Sequence, residues 1–129
     1  MDKNLKENMP IYIQIMNRVR EAIASGELTS GDRVPPVREL AAEFEVNPNT
    51  MQRALNELER EGLLISERTT GRFVTSDRDL IAALKQQAAE LAADNFRKEM
   101  AALGFTEEQM IDFFRRRCEE VVSMEERIG

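Results

Sequence analysis

Histidine and tryptophan are absent, cysteine and tyrosine occur once each, and aromatic residues make up only 5% of the 129-residue chain. With no histidine and a lone thiol at Cys118, histidine-based nucleophile–base pairs and mixed histidine–cysteine metal sites cannot be assembled. No glycine-rich phosphate loop occurs either. The expectation is a protein that is not an enzyme, with no catalytic residue, no cofactor and no metal. One cysteine cannot close an internal disulfide, so nothing points to an oxidising compartment. No apolar run reaches the roughly 18 residues of a membrane span. Met1 to Pro10 is polar and has no signal-peptide core. No membrane partner is expected, and the expected location is the cytoplasm.

The charged fraction is 33% and the net charge is −6. A negative total argues at first sight against a nucleic-acid partner. The distribution matters more. Asn8–Arg20, Val46–Asn56 and Arg68–Ser76 contain no acidic residue, yet each carries arginine.

Hydrophobic spacing and punctuation give the element order. Pro10 opens a helix on which Ile11, Ile15, Val19 and Ile23 recur every fourth residue, and Gly26 closes it. Leu28 to Pro35 reads as a loop. Val37–Phe44 is a short helix with Val37, Leu40, Ala41 and Phe44 on one face. Glu45 and Val46 make a turn. Asn47 then caps a helix from Pro48 to about Glu61, with Met51, Ala54, Leu55 and Leu58 inward and Gly62 at its end. Leu63–Ile65 and Arg72–Val74 read as a hairpin around the polar Ser66–Gly71 segment. Asp77 caps a long helix to Leu103. Thr106 and Gln109 form a capping box for a last helix to about Arg127. The fold class is mainly α with a small β-hairpin. A winged helix-turn-helix over residues 1–76 precedes a two-helix antiparallel hairpin over residues 77–129.

Two short helices around a three-residue joint have the spacing of a helix-turn-helix, whose second helix enters the major groove by its N-terminus. The outward residues there are Asn47, Asn49, Thr50, Gln52 and Arg53. Asn and Gln can pair with adenine, Arg can fork onto guanine, and Thr can meet a thymine methyl or a phosphate. The free N–H groups of the helix end favour phosphate. Alone, such a capped helix with a polar outer face is an ordinary surface helix. The hairpin tip adds Arg68, Thr69, Thr70, Gly71 and Arg72, a basic stretch without acid.

Several runs carry a resemblance. Pro10-Ile11-Tyr12-Ile13-Gln14-Ile15, Ser25-Gly26-Glu27-Leu28 and Gly31-Asp32-Arg33-Val34-Pro35 resemble the N-terminal domain of GntR-family bacterial transcription regulators. So do Arg38-Glu39-Leu40-Ala41, Val46-Asn47-Pro48-Asn49-Thr50, Arg53-Ala54-Leu55, Glu57–Gly62 and Gly71-Arg72-Phe73-Val74. The similarity runs from about residue 9 to 75, and the short helical tail resembles the YtrA subfamily. The resemblance implies a double-stranded-DNA partner, a repressor and a homodimer. It implies DNA contacts at Arg38, at Asn47, Asn49, Thr50, Gln52 and Arg53, and at the wing-tip Gly71 flanked by Thr70 and Arg72. One position departs. The family has Pro-Ser where this chain has Pro35-Pro36, so the serine cap of the second helix is missing.

The two last helices carry more apolar surface than one hairpin can bury. Leu84, Ala88, Leu91, Phe96, Phe113, Phe114 and Val121 are the expected contacts with a second copy. The alternative is that one stripe packs on the chain's own first domain. A small-molecule effector, unidentified, would have to sit between subunits or domains. Two other readings stay open. One is a protein-interaction module that keeps the fold without binding DNA. The other is a redox role for Cys118 beside Arg115–Arg117, against a plain half-buried helix residue.

Overall fold

The computed structural model describes residues 8–128. The polar stretch 1–7, read above as lacking a signal-peptide core, lies outside them. The order is α1 (Ile11–Ser25), α2 (Val37–Phe44), α3 (Pro48–Arg60), β1 (Leu64–Glu67), β2 (Gly71–Val74), α4 (Arg78–Ala102) and α5 (Glu107–Ile128). The chain divides into two compact units, Met1–Ala88 and Ala89–Gly129.

In the first unit the four-residue spacing of α1 turns Ile15, Val19 and Ile23 inward, against Leu40, Ala41 and Phe44 of α2 and Met51, Ala54, Leu55 and Leu58 of α3. Leu64 and Val74 close this core from the hairpin, and Ile15, Leu40, Met51, Leu55 and Leu58 are fully buried. Each such side chain stabilises the fold by about 1.5–3 kcal/mol relative to exposure. Leu80, Ile81 and Leu84 at the start of α4 pack on the same core.

Helix ends follow their local chemistry. Gly26 closes α1 with φ 86°. Asn47 caps α3, its side-chain oxygen accepting the Asn49 N–H at 2.7 Å. The Asp77 carboxylate accepts the Leu80 N–H at 3.1 Å at the start of α4. Thr106 and Gln109 bond each other's backbone N–H at 3.2 and 2.9 Å, a complete capping box. By contrast, α2 begins at Pro36 with no side-chain cap.

Two strand expectations are revised. The strands run further toward the tip than their apolar residues do, pairing Leu64 with Val74 and Glu67 with Gly71, which leaves 68–70 as the turn. Leu63 lies outside the ladder. The segment read as a loop before Pro35 also bonds to β2, through an isolated bridge outside the two-stranded sheet. Gly31 N–H donates to Val74 C=O at 3.0 Å, Val74 N–H to Asp32 C=O at 2.9 Å, and Val34 N–H to Arg72 C=O at 2.8 Å. Arg33 thereby sits across from Phe73 as a bridge residue. Its partner strand lies far along the chain, so local pattern carries no sign of it.

In the second unit, only Met100 and Met110 are buried hydrophobics among the described residues. Phe96 packs edge-on against Phe114, and Phe105 against Phe113, each with centroids 5.7 Å apart.

Candidate nucleic-acid interface

The interface is built on the α2–α3 corner. Glu45 closes α2 in the left-handed region at φ 57°, its N–H bonded to Ala41 and Ala42 carbonyls. The chain then reverses through Val46 into Asn47. Because Met51, Ala54, Leu55 and Leu58 must face the core, the remaining positions of α3 are forced outward. Asn47, Asn49, Gln52 and Arg53 are exposed there, and Thr50 is half-buried. The first turn of α3 contains no acidic residue. Its N–H groups and the positive end of its dipole therefore meet no competing carboxylate within the helix.

These side chains are partly organised already. Asn47 uses its oxygen as the cap, which leaves its amide N–H groups outward. Gln52 donates to Asn56 at 2.8 Å. The Arg53 guanidinium stacks on the Tyr12 ring, 3.8 Å from its centroid. Such cation–π contact at an exposed site contributes about 0.5–1 kcal/mol. It holds a long side chain near one orientation and keeps all of its N–H donors available. The contact joins α1 to α3, so local sequence pattern carries no sign of Tyr12 as a support. Arg38 is exposed on α2 with no ion pair among the described residues.

The wing divides its residues by face. Val74 is buried, so the two-residue alternation of β2 turns Arg72 to the same side, toward α3. There its Nε donates to the Glu59 carboxylate at 2.6 Å and its guanidinium reaches Asn56 at 3.3 Å. Ser66, directly across from Arg72, also donates to Glu59. Burial alone would raise the Glu59 pKa, but the Ser66 hydroxyl and the Arg72 guanidinium outweigh it and hold it below the ordinary value. Arg72, expected to flank Gly71 on DNA, is turned onto α3. Thr70 and Gly71 are exposed at the tip, as expected. Gly71 adopts φ 119°, and a Cβ there would lie 3.2 Å from Nε of Arg33. Arg33 therefore lies over the glycine, a neighbour that sequence spacing could not reveal.

Asp32 anchors the start of the segment that bonds to β2. Its carboxylate accepts the Thr29 N–H at 2.8 Å, and that bond holds its pKa below the ordinary range. Of the residues expected at a second-copy contact, Leu84 is half-buried against the first unit's core, while Ala88, Leu91, Phe113, Phe114 and Val121 are exposed and Phe96 is half-buried. Cys118 is exposed, not half-buried. No group of three or more potential metal ligands occurs among the described residues. No described helix is long and apolar enough to cross a membrane.

The family model of bacterial regulatory proteins, gntR family, matches residues 11–74, which holds every helix and strand of the corner and wing. The HTH-type transcriptional regulator YhcF of Bacillus subtilis is 36% identical over 87% of this chain and 93% of its own length. The chain belongs to the GntR family. The HTH-type transcriptional repressor YtrA of Bacillus subtilis is 34% identical over 69% of this chain and 73% of its own. A GntR-family regulator from Listeria monocytogenes superposes with a TM-score of 0.77 at 37% identity, covering 87% of this chain and 98% of that one. The DNA-binding domain of AraR, solved in complex with operator ORR3, superposes with a TM-score of 0.51 at 28% identity over 56% of this chain and 87% of that one. The GntR winged helix-turn-helix and the placement in a family of transcription regulators therefore stand on fold and on sequence together.

Proposed function

We propose that this GntR-family regulator is a repressor that reads a two-fold operator as a homodimer, with the N-terminal end of α3 in the major groove and the wing beside the adjacent groove. One observation carries the reading. A side-chain-capped, acid-free helix end presents Asn47, Asn49, Gln52 and a pre-oriented Arg53 on one exposed face. That set can pair with base edges, and the helix end compensates locally for the net charge of −6. Arg38 and the tip at Thr70 and Gly71 supply backbone contacts. The AraR domain bound to its operator and the YtrA relative named a repressor support this reading. A regulator of this kind acts on chromosomal DNA in the cytoplasm.

Dimerisation is proposed through residues 77–129, with residues 1–76 as the DNA-binding part. Within the second unit Leu91, Ile111, Phe114, Val122 and Met124 are each more than half exposed. An open groove of about 610 Å³, lined by Ala92, Phe96, Met110, Ile111 and Phe114, lies among them. A second copy would bury this face, and Leu84 is left to the first unit. Two copies would then address half-sites about one helical turn apart. Any effector would bind where the copies meet.

A mobility-shift titration on duplexes selected by the protein from a random-sequence pool tests the reading. Saturable binding to a palindromic consensus is the expected result. A pool that yields no consensus would overturn sequence-specific binding and return the fold to a protein-interaction role.

A further inference from the structure

We infer that the wing presents Arg33, not Arg72, to the DNA backbone, and that Arg72 with Glu59 is a tie holding the wing against the recognition helix. The inference rests on the DNA-binding reading and deepens it.

Three observations carry it. First, strand alternation fixes the direction of each arginine. Leu64, Ser66, Arg72 and Val74 share the face toward α3, whereas Gly71 and Phe73 take the opposite face. Arg33 bridges to Phe73 and its guanidinium lies over Gly71, on that opposite face. Second, the two cations differ in what they are bonded to. The Arg72 side chain is 17% exposed and is held by Glu59 and Asn56. Arg33 is exposed and has no ion pair or side-chain hydrogen bond among the described residues. A cation already neutralised by a carboxylate releases no DNA counterion on binding, whereas an unpaired one does. Third, the Glu59 carboxylate gathers Ser66 from β1 and Arg72 from β2 onto α3. One side chain of the recognition helix thus grips both strands of the wing. The bare backbone at Gly71 leaves room for the Arg33 guanidinium, and a larger residue there would push it away.

Arg33 is on this account a DNA-contacting residue, and Glu59 and Arg72 are positioning residues. The two roles differ in salt dependence. Each neutralised phosphate adds about 0.9 to the slope of log affinity against log salt. Affinity for the duplex selected by the wild-type chain is measured over a salt series for wild type, R33Q, R33K, R72Q, E59Q and the R72Q/E59Q double variant, with a thermal melt for each. R33Q is expected to lower the slope by about 0.9 per half-site and to weaken binding about fivefold per half-site at physiological salt. R33K keeps the slope. R72Q is expected to weaken binding and to leave the slope unchanged, E59Q to weaken binding through the lost tie, and the double variant to be no worse than the weaker single variant. An unchanged slope in R33Q, or a lowered slope in R72Q, overturns the inference. A wild-type chain that selects no duplex overturns the DNA-binding reading beneath it, which separates the two failures.

Discussion

Arg53 stacked on Tyr12 is a flexible side chain held near one orientation, as the proposed base contact requires. An unrestrained arginine loses up to about 2 kcal/mol of rotamer freedom when it is fixed on a base. Stacking on Tyr12 takes part of that loss in the free protein. Tyr12→Leu is therefore expected to weaken binding to the selected duplex a few-fold, in line with about 0.5–1 kcal/mol for an exposed cation–π pair. Tyr12→Phe keeps the ring and should bind nearly as wild type in the same titration. Pro36 is the opposite case, a position where local chemistry leaves a helix end incomplete. The structure gives α2 no side-chain cap there. Pro36→Ser is expected to stabilise the protein by about 1 kcal/mol, seen as a rise in melting temperature. An unchanged melt together with unchanged operator affinity would contradict the capping argument.

At the scale of elements, the tie between α3 and the wing has an acid signature. The Glu59 pKa is depressed in the folded chain from an ordinary value of 4.5. A depressed carboxylate contributes stability that is fully present above its unfolded value and is lost as pH falls through its folded value. Wild type should therefore be more stable than Glu59→Gln at neutral pH, by roughly 1 kcal/mol for a charge-assisted but partly solvated pair. The two should converge as pH drops below 4.5, followed by urea unfolding at several pH values. Elements were also where sequence reasoning worked best. Asn47-Pro48 marks a helix start because both residues act locally, and Thr106 with Gln109 does the same for α5. The bridge from Arg33 to the wing is not legible in the sequence, since Asp32 and Val34 make their backbone bonds to Val74 and Arg72 far along the chain. The direction of Arg72 could have been found, because a buried Val74 two residues on dictates it. Glu59 as its partner could not, because β-hairpin and helix meet only in the folded chain.

For the whole molecule, apolar surface is unevenly distributed between the two units. The first unit closes a core around Leu40, Met51, Leu55 and Leu58, all fully buried. The second unit buries only Met100 and Met110 among its described hydrophobics and leaves Phe113, Phe114 and Leu91 exposed. Substituting Phe114 and Ile111 together by Ser is expected to give a monomer in sedimentation at micromolar concentration and to weaken operator binding far more than either half-site contact would. Wild type sedimenting as a monomer would remove the dimer. The site follows the same division. The residues proposed to face bases are visible in sequence because a core-facing stripe on α3 forces them outward, while Tyr12 and Arg33 come from other elements and Glu59 finds its wing partners only in the folded chain.

The exposed N-terminal face of α3 is the surface proposed to read bases. The most direct test compares wild type with Arg53→Ala on the selected duplex and on a scrambled duplex of the same composition. Wild type is expected to prefer the selected duplex strongly, and the variant to lose about 1–3 kcal/mol on that duplex alone. Equal losses on both duplexes, or no preference in wild type, would contradict it.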